Sequence, residues 1–121
     1  MPVNQVAVYR VRQPLREPYH LAFGTFETFD TILTRVQVDG RVGWGECTAC
    51  PGYSTETPDE AWAFTTAHAR TLLGLDPAAA SAALLRHVEA APFAVTGLVT
   101  AIEAALGALT PAAEVRFPLI G

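Results

Sequence analysis

Lysine is missing from this chain of 121 residues, and all eight of its basic residues are arginine. Without lysine the chain supplies no Schiff-base amine, no phosphate-loop lysine and no lysine proton-transfer base. Charge is sparse too: Asp, Glu, Lys and Arg make up 17% of the sequence, with a net charge of −4. The arginines are scattered, at Arg10, Arg12, Arg16, Arg35, Arg41, Arg70, Arg86 and Arg116. With a pI of about 5.2, that scatter argues against a nucleic-acid partner, which needs a basic face. No apolar run approaches the roughly 20 residues of a membrane span, so no membrane partner is expected. No basic segment followed by an apolar stretch opens the chain, so no signal peptide is visible and the expected location is the cytoplasm. Two cysteines are too few for a disulfide scaffold.

What the chain does have is apolar character. Half of its residues are hydrophobic and its mean hydropathy is +0.25, which excludes a disordered chain. One domain of this length buries roughly two-thirds of the surface its unfolded state exposes, enough for a real core.

The two halves differ in texture. Valine, threonine and aromatics alternate with period two in the first half, and the spacing predicts strands near 3–12, 31–39 and 41–46. Asp39-Gly40 between the last two is a type I′ hairpin signal, because both central residues need positive φ. From Thr57 the pattern becomes helical. Thr57-Pro58-Asp59-Glu60 combines an N-cap, a proline at N1 and a glutamate at N3. Ala61, Phe64, His68, Leu72 and Leu73 follow at helical spacing until Gly74. Asp76-Pro77 opens a second helix carried by Ala80, Leu84, Leu85 and Val88 and broken before Pro92. A third is expected from about Val95 to Leu109, with Leu98, Ile102, Ala105, Leu106 and Leu109 on one face. The expected fold class is therefore α+β: an antiparallel three-stranded β-meander followed by a bundle of about three helices.

Two stretches stand out as places for chemistry. Residues 13–30 form an excursion between the first two strands, punctuated by Pro14, Pro18 and Gly24 yet rich in Tyr19, Phe23, Phe26 and Phe29. Phe29 is expected in the core. For Phe23 and Phe26 two readings stand: core packing, or the underside of a hydrophobic flap hinged at Gly24. His20, inside this aromatic stretch, is the histidine to test; His68 and His87 are expected within helices, as satisfied or surface groups.

The second stretch runs from Gly43-Trp44-Gly45-Glu46 through Cys47-Thr48-Ala49-Cys50 to Pro51-Gly52-Tyr53. Two glycines in a strand mark a bulge or a close backbone approach. Glu46 is a lone carboxylate, better explained by a bond to backbone or arginine than by acid–base work. The Cys-x-x-Cys spacing is half a zinc site, a redox pair or a coincidence. Zinc needs two further ligands, and the redox motif belongs at a strand-to-helix junction that Pro51-Gly52 interrupts here.

Arg16-Glu17-Pro18, Gly43-Trp44-Gly45-Glu46, the Pro-Gly-Tyr loop, the Thr-Pro-Asp-Glu helix start and the Phe-Pro-Leu-Ile-Gly ending come in a familiar order. The chain resembles the N-terminal capping domain of the enolase superfamily, in its mandelate racemase and muconate lactonizing branch. The resemblance implies a cap over residues 1–115 and the start of a (β/α) barrel at 116–121, the barrel needing roughly 200 further residues. It implies that residues 16–27 and Cys47–Thr55 cover the barrel mouth and select the substrate, a small carboxylate that loses the proton next to its carboxyl group. Racemisation, cycloisomerisation and dehydration all fit. Tyr19, His20, Phe23, Thr25, Phe26, Cys50 and Tyr53 are then substrate-binding residues, with no catalytic or metal-binding residue in this chain. Mg²⁺ and the lysine or histidine bases would belong to the barrel, and the chain alone would have no activity. A departure from the family pattern lies at 105–109, Ala-Leu-Gly-Ala-Leu in place of an Ala-Leu-Trp-Asp-Leu-like run. Its expected partners are a barrel in the same or a companion chain and, through an apolar face left bare, further copies of itself. The alternatives are a free-standing α+β module that binds a small ligand or partner, and a thiol-redox or metal protein acting through Cys47 and Cys50.

Overall fold

Asp39 and Gly40 turn the chain with φ of +50° and +78°, the pair of positive values that a type I′ hairpin requires. Around that turn a computed structural model describes residues 1–107, Arg116 and Pro118. Three strands, β1 (Val3–Leu21), β2 (Gly24–Val38) and β3 (Arg41–Cys47), precede α1 (Pro58–Leu72), α2 (Pro77–Leu85) and α3 (Pro92–Ala105). The sheet is antiparallel in the order β1-β2-β3, so the α+β meander with three following helices is the observed architecture. The departure at 105–109 lies partly, and the start of a barrel at 116–121 mostly, outside the described residues.

The excursion expected at 13–30 is a strand pair instead. β1 and β2 continue past Arg12↔Asp30 to Leu21↔Gly24, closing at Ala22-Phe23. Besides a shift between Val3 and Gln5 near the start of β1, the register slips between Pro14↔Thr28 and Tyr19↔Phe26. Residues 15–18 of β1 bulge there, and that break in the two-residue period hid the strand from pattern reading. Pro14 is tolerated because β1 is an edge strand.

Thr57 caps α1, its Oγ1 accepting from Glu60 N at 3.1 Å; the Glu60 carboxylate accepts from the Thr57 hydroxyl at 3.2 Å. The helix stops before Gly74, whose φ is +81°. Gly74 N donates to Val3 O, and Val3 N to Leu75 O, both at 2.8 Å, tying the start of β1 to the turn after α1. The buried stripe of α1 is Ala61, Thr65, Ala69 and Leu72, not the expected one through Phe64, His68 and Leu73. Leu73 is largely exposed. Phe64 and His68 instead stack with ring centroids 4.0 Å apart, and His87 stands 4.9 Å from His68. Burial, then the neighbouring His87, pushes His68 below the ordinary histidine range.

α2 ends at Leu85, earlier than expected. Arg86 to Ala90 are all exposed and close tight turns (His87 N to Leu84 O, 2.9 Å), because no buried face sustains another helical turn. Val88 and His87 therefore follow the helix rather than belonging to it. α3 starts at Pro92, before the expected Val95, and it is apolar on nearly every side. Ala94, Gly97, Leu98, Ala101, Ile102 and Ala105 are all buried, so the expected face holds at Leu98, Ile102 and Ala105 and the buried surface extends beyond it. Leu106, expected on that face, is partly exposed beyond the helix, and Leu109 lies outside the described residues.

The core lies between α3 and the sheet face carrying Ile32, Val36, Val38 and Cys47. The opposite sheet face stays bare, exposing Tyr9, Val11, Val42 and Trp44, and Glu46 is exposed beside them.

An ion network ties the hairpin to α1. Arg10 reaches Asp30 at 3.0 Å and Asp59 at 2.6 Å, while Arg12 reaches Asp30 at 3.2 Å. Partial burial pushes the Asp30 carboxyl up, but hydrogen bonds from Arg10 and Arg12 outweigh it and hold the group below the usual carboxylate value. As pH falls below about 4, the unfolded chain therefore takes up this proton before the folded one, and stability drops. Asp30→Asn is expected to cost about 1 kcal/mol near neutral pH and to flatten that acid limb. Urea midpoints of both proteins across pH 2–7 check it.

Candidate functional site

The far end of the β1–β2 hairpin meets the segment after β3. Cys50 organises that segment: its carbonyl accepts from Tyr53 N at 3.0 Å and Ser54 N at 2.9 Å. The Ser54 hydroxyl lies 3.3 Å from the same oxygen and 3.1 Å from Glu56 O. Gly52 occupies φ +94°, and a Cβ there would lie 2.5 Å from Phe23 Cδ2. The positive φ calls for glycine, and the Phe23 ring lies against it.

Ring contacts run from one segment to the other. Tyr19 meets Phe29 edge-on at 6.1 Å, and Phe29 meets Phe26 at 5.6 Å. Phe26 meets Phe23 at 6.5 Å, and Phe23 meets Tyr53 at 6.5 Å. Each such pair is worth roughly 0.5–1.5 kcal/mol beyond its burial. The chain of rings bends around an open cleft of about 230 Å³ lined by Tyr19, Leu21, Phe29, Cys50 and Tyr53. Large apolar groups stay in solvent: Tyr19 is 52% exposed, Phe23 48% and Tyr53 75%.

The structure thus brings Tyr19, Cys50 and Tyr53 to one cleft, which Phe23 and Phe26 do not line but touch through Tyr53 and Phe29. His20 and Thr25 are not part of it. They pair with each other across the strands, Nδ1 to Oγ1 at 3.1 Å, and the alternation of the pleat turns them from Tyr19's side. Phe29, expected in the core, is half-buried in the cleft wall, and Leu21 joins it. Once 13–30 is known to be a strand, the spacing of Tyr19 and Leu21 puts both on one face.

Glu56 is the residue whose role the sequence concealed. It is 3% exposed, and its carboxylate accepts from Phe93 N at 2.6 Å and Ala94 N at 3.2 Å. It caps α3 in place of Ala91, which offers no side-chain acceptor. The sequence separation of 37 from Glu56 to Phe93 leaves no local signal to find.

The thiols do not resemble an activated pair. Burial, then the Glu56 and Glu46 carboxylates, pushes Cys47 up to about 11, and burial raises Cys50 as well. A reactive thiol needs the opposite shift. Both cysteines are free. No group of three or more His, Cys, Asp or Glu side chains able to hold a metal ion occurs among the described residues. No helix among them is long and apolar enough to cross a membrane.

Residues 3–113 match the family described as mandelate racemase / muconate lactonizing enzyme, N-terminal domain. The chain belongs to this family. Among curated relatives, the o-succinylbenzoate synthase of Pectobacterium atrosepticum is 37% identical over 59 residues, which cover 49% of this chain and 18% of that protein. A mandelate racemase/muconate lactonizing protein from Herpetosiphon aurantiacus superposes with a TM-score of 0.75 at 28% identity, over 87% of this chain and 30% of the other. A dipeptide epimerase from Methylococcus capsulatus, complexed with Mg and the dipeptide L-Arg-D-Lys, gives 0.73 at 27% identity, over 85% and 30%. This mandelate racemase/muconate lactonizing N-terminal domain thus spans less than a third of these relatives' length.

Proposed function

We propose that the chain is the substrate-capping and specificity unit of an enolase-superfamily enzyme. That enzyme removes the proton next to the carboxylate of a small substrate, leading to racemisation, cycloisomerisation or dehydration. The observation carrying this reading is the cleft with one wall. Its rings are held in place by the Gly52 turn and the hairpin, yet Tyr19, Phe23 and Tyr53 are left about half or more in solvent. A cleft of about 230 Å³ is smaller than the roughly 300–1,000 Å³ of complete ligand sites. It makes sense as half a site closed by a second body.

That second body is proposed to be a (β/α) barrel, in the same polypeptide or a companion chain, holding the bases and Mg²⁺. The described residues of this chain do not fit Mg²⁺, since they bring no three ligating side chains together. Their part is to bind, orient and exclude water. Tyr19 and Tyr53 bracket the substrate's far end, and the hairpin tip shields the reacting end from solvent, where a lower dielectric strengthens every charge interaction. The expected setting is the cytoplasm.

The test joins this chain to the barrel of the Herpetosiphon relative and follows α-proton exchange of carboxylates by NMR in D₂O. The chain alone is expected to show none, and the fusion at least about 100-fold more exchange than the isolated barrel. A fusion no better than the barrel alone overturns the reading. The domain's self-contained core favours a second reading, a free-standing binding module; saturable ligand binding without any barrel-dependent turnover would select it.

A further inference from the structure

The cleft is lined by two phenols, a thiol, a leucine and a phenylalanine, with no carboxylate, imidazole or guanidinium among them. The nearest charges are committed elsewhere or point elsewhere. Arg12 and Asp30 border a separate depression and hold each other. Arg16, Glu17 and Glu27, exposed at the bulge, do not line the cleft. His20 is paired to Thr25 on the other side of the hairpin. Burial raises the Cys50 thiol, so it is uncharged at neutral pH.

Volume adds a second constraint. A cavity of about 150 Å³ lined by apolar side chains holds benzene, so a cleft of about 230 Å³ takes a six-membered ring and a few further atoms. Leu21 and Phe29 are half-buried, whereas Tyr19 and Tyr53, the more exposed pair, carry the hydroxyls of the lining.

Resting on the capping reading above, we propose that this cleft takes an uncharged aryl or branched-alkyl end of the carboxylate substrate and selects against a cationic one. Leu21 and Phe29 meet the apolar group, and the Tyr19 and Tyr53 hydroxyls are free to donate to a carbonyl or ether oxygen where the substrate leaves the cleft. A lysine-like or arginine-like end would lose hydration here without gaining a carboxylate. Aromatic walls can hold a cation over their faces, but that attraction is weak at solvent-exposed rings, and Tyr19 and Tyr53 are half or more in solvent.

The experiment titrates the labelled 121-residue chain with phenylbutyrate and, separately, guanidinobutyrate, following backbone amides by NMR. Phenylbutyrate is expected to shift Leu21, Phe29, Cys50 and Tyr53 with a Kd on the order of 1–10 mM, as suits half a site. Guanidinobutyrate is expected to bind at least about 10-fold more weakly. Tyr53→Ala, at a residue exposed enough to leave the fold intact, should weaken phenylbutyrate about 5-fold or more. Equal or tighter binding of guanidinobutyrate, phenylbutyrate shifts mapping to another surface, or no shift with either probe overturns the proposal. None of these readouts involves a barrel, whereas failure of the capping reading shows in the fusion's lack of turnover.

Discussion

Gly45→Ala is expected to abolish stable folding, at a cost above about 4 kcal/mol. The added Cβ would overlap the carbonyl oxygen of Gly97 and lie 2.9 Å from Ala101 N. Both obstacles are helix backbone, which cannot rotate away as a side chain can. At Gly43 the Cβ would likewise collide with Ala101 O and Ala105 N. α3 therefore rests directly on β3, through glycine on the strand and Gly97, Ala101 and Ala105 on the helix. A loss of this size is a large part of the roughly 5–15 kcal/mol that holds a domain folded. The mirror-image substitution makes the informative contrast. At Gly97 a Cβ meets Glu46 C at 3.4 Å and Cys47 Cβ at 3.5 Å, near ordinary contact. Gly97→Ala should thus be neutral or stabilise by up to about 1 kcal/mol through helix propensity. Urea denaturation of the two variants checks both directions. A well-folded Gly45→Ala would mean that α3 does not sit against β3.

Glu56→Ala is expected to cost about 3 kcal/mol and to lower Tm by roughly 10–15 °C. Removing the carboxylate leaves the Phe93 and Ala94 amides without their acceptor, and Ala94 is fully buried, so water cannot replace it. The negative charge at the helix N-terminus disappears as well. Glu56→Gln keeps one oxygen acceptor and should lose about half as much. The effect reaches the candidate site, because Ser54 bonds to both Cys50 O and Glu56 O in the turn that carries Tyr53. Thermal unfolding gives the stability change, and amide exchange at Tyr53 and Ser54 reports whether the cleft wall loosens with it.

Much of the fold is legible in the sequence because its signals are local. The Asp39-Gly40 turn, the Thr57 and Asp76 caps, and Gly74 each specify the conformation of two or three consecutive residues. Here the structure follows them. The strands near 3–12, 31–39 and 41–46 follow from alternation for the same reason. The reading falls short where periodicity breaks or is blurred. Residues 15–18 bulge, so the distal hairpin looks like a loop; on α3 the expected face holds at Leu98, Ile102 and Ala105, but further apolar residues hide how far the buried surface extends.

The candidate site divides along the same line. Aromatic density around Gly24 and Gly52 marks the two segments, because so many rings cannot stay in water without a partner. Which rings meet depends on the bulge and on the Gly52 turn, and these admit Leu21 and Phe29 while turning His20 and Thr25 away. By itself the sequence determines the order of elements, the turns, the caps and the chemistry that lysine's absence excludes. Only the tertiary structure decides between a bulge and a close approach at Gly43 and Gly45, assigns Glu56 to a helix 37 residues away, and joins two aromatic segments around one cleft. Those outcomes depend on contacts between residues far apart in the chain, for which no local pattern carries a signal.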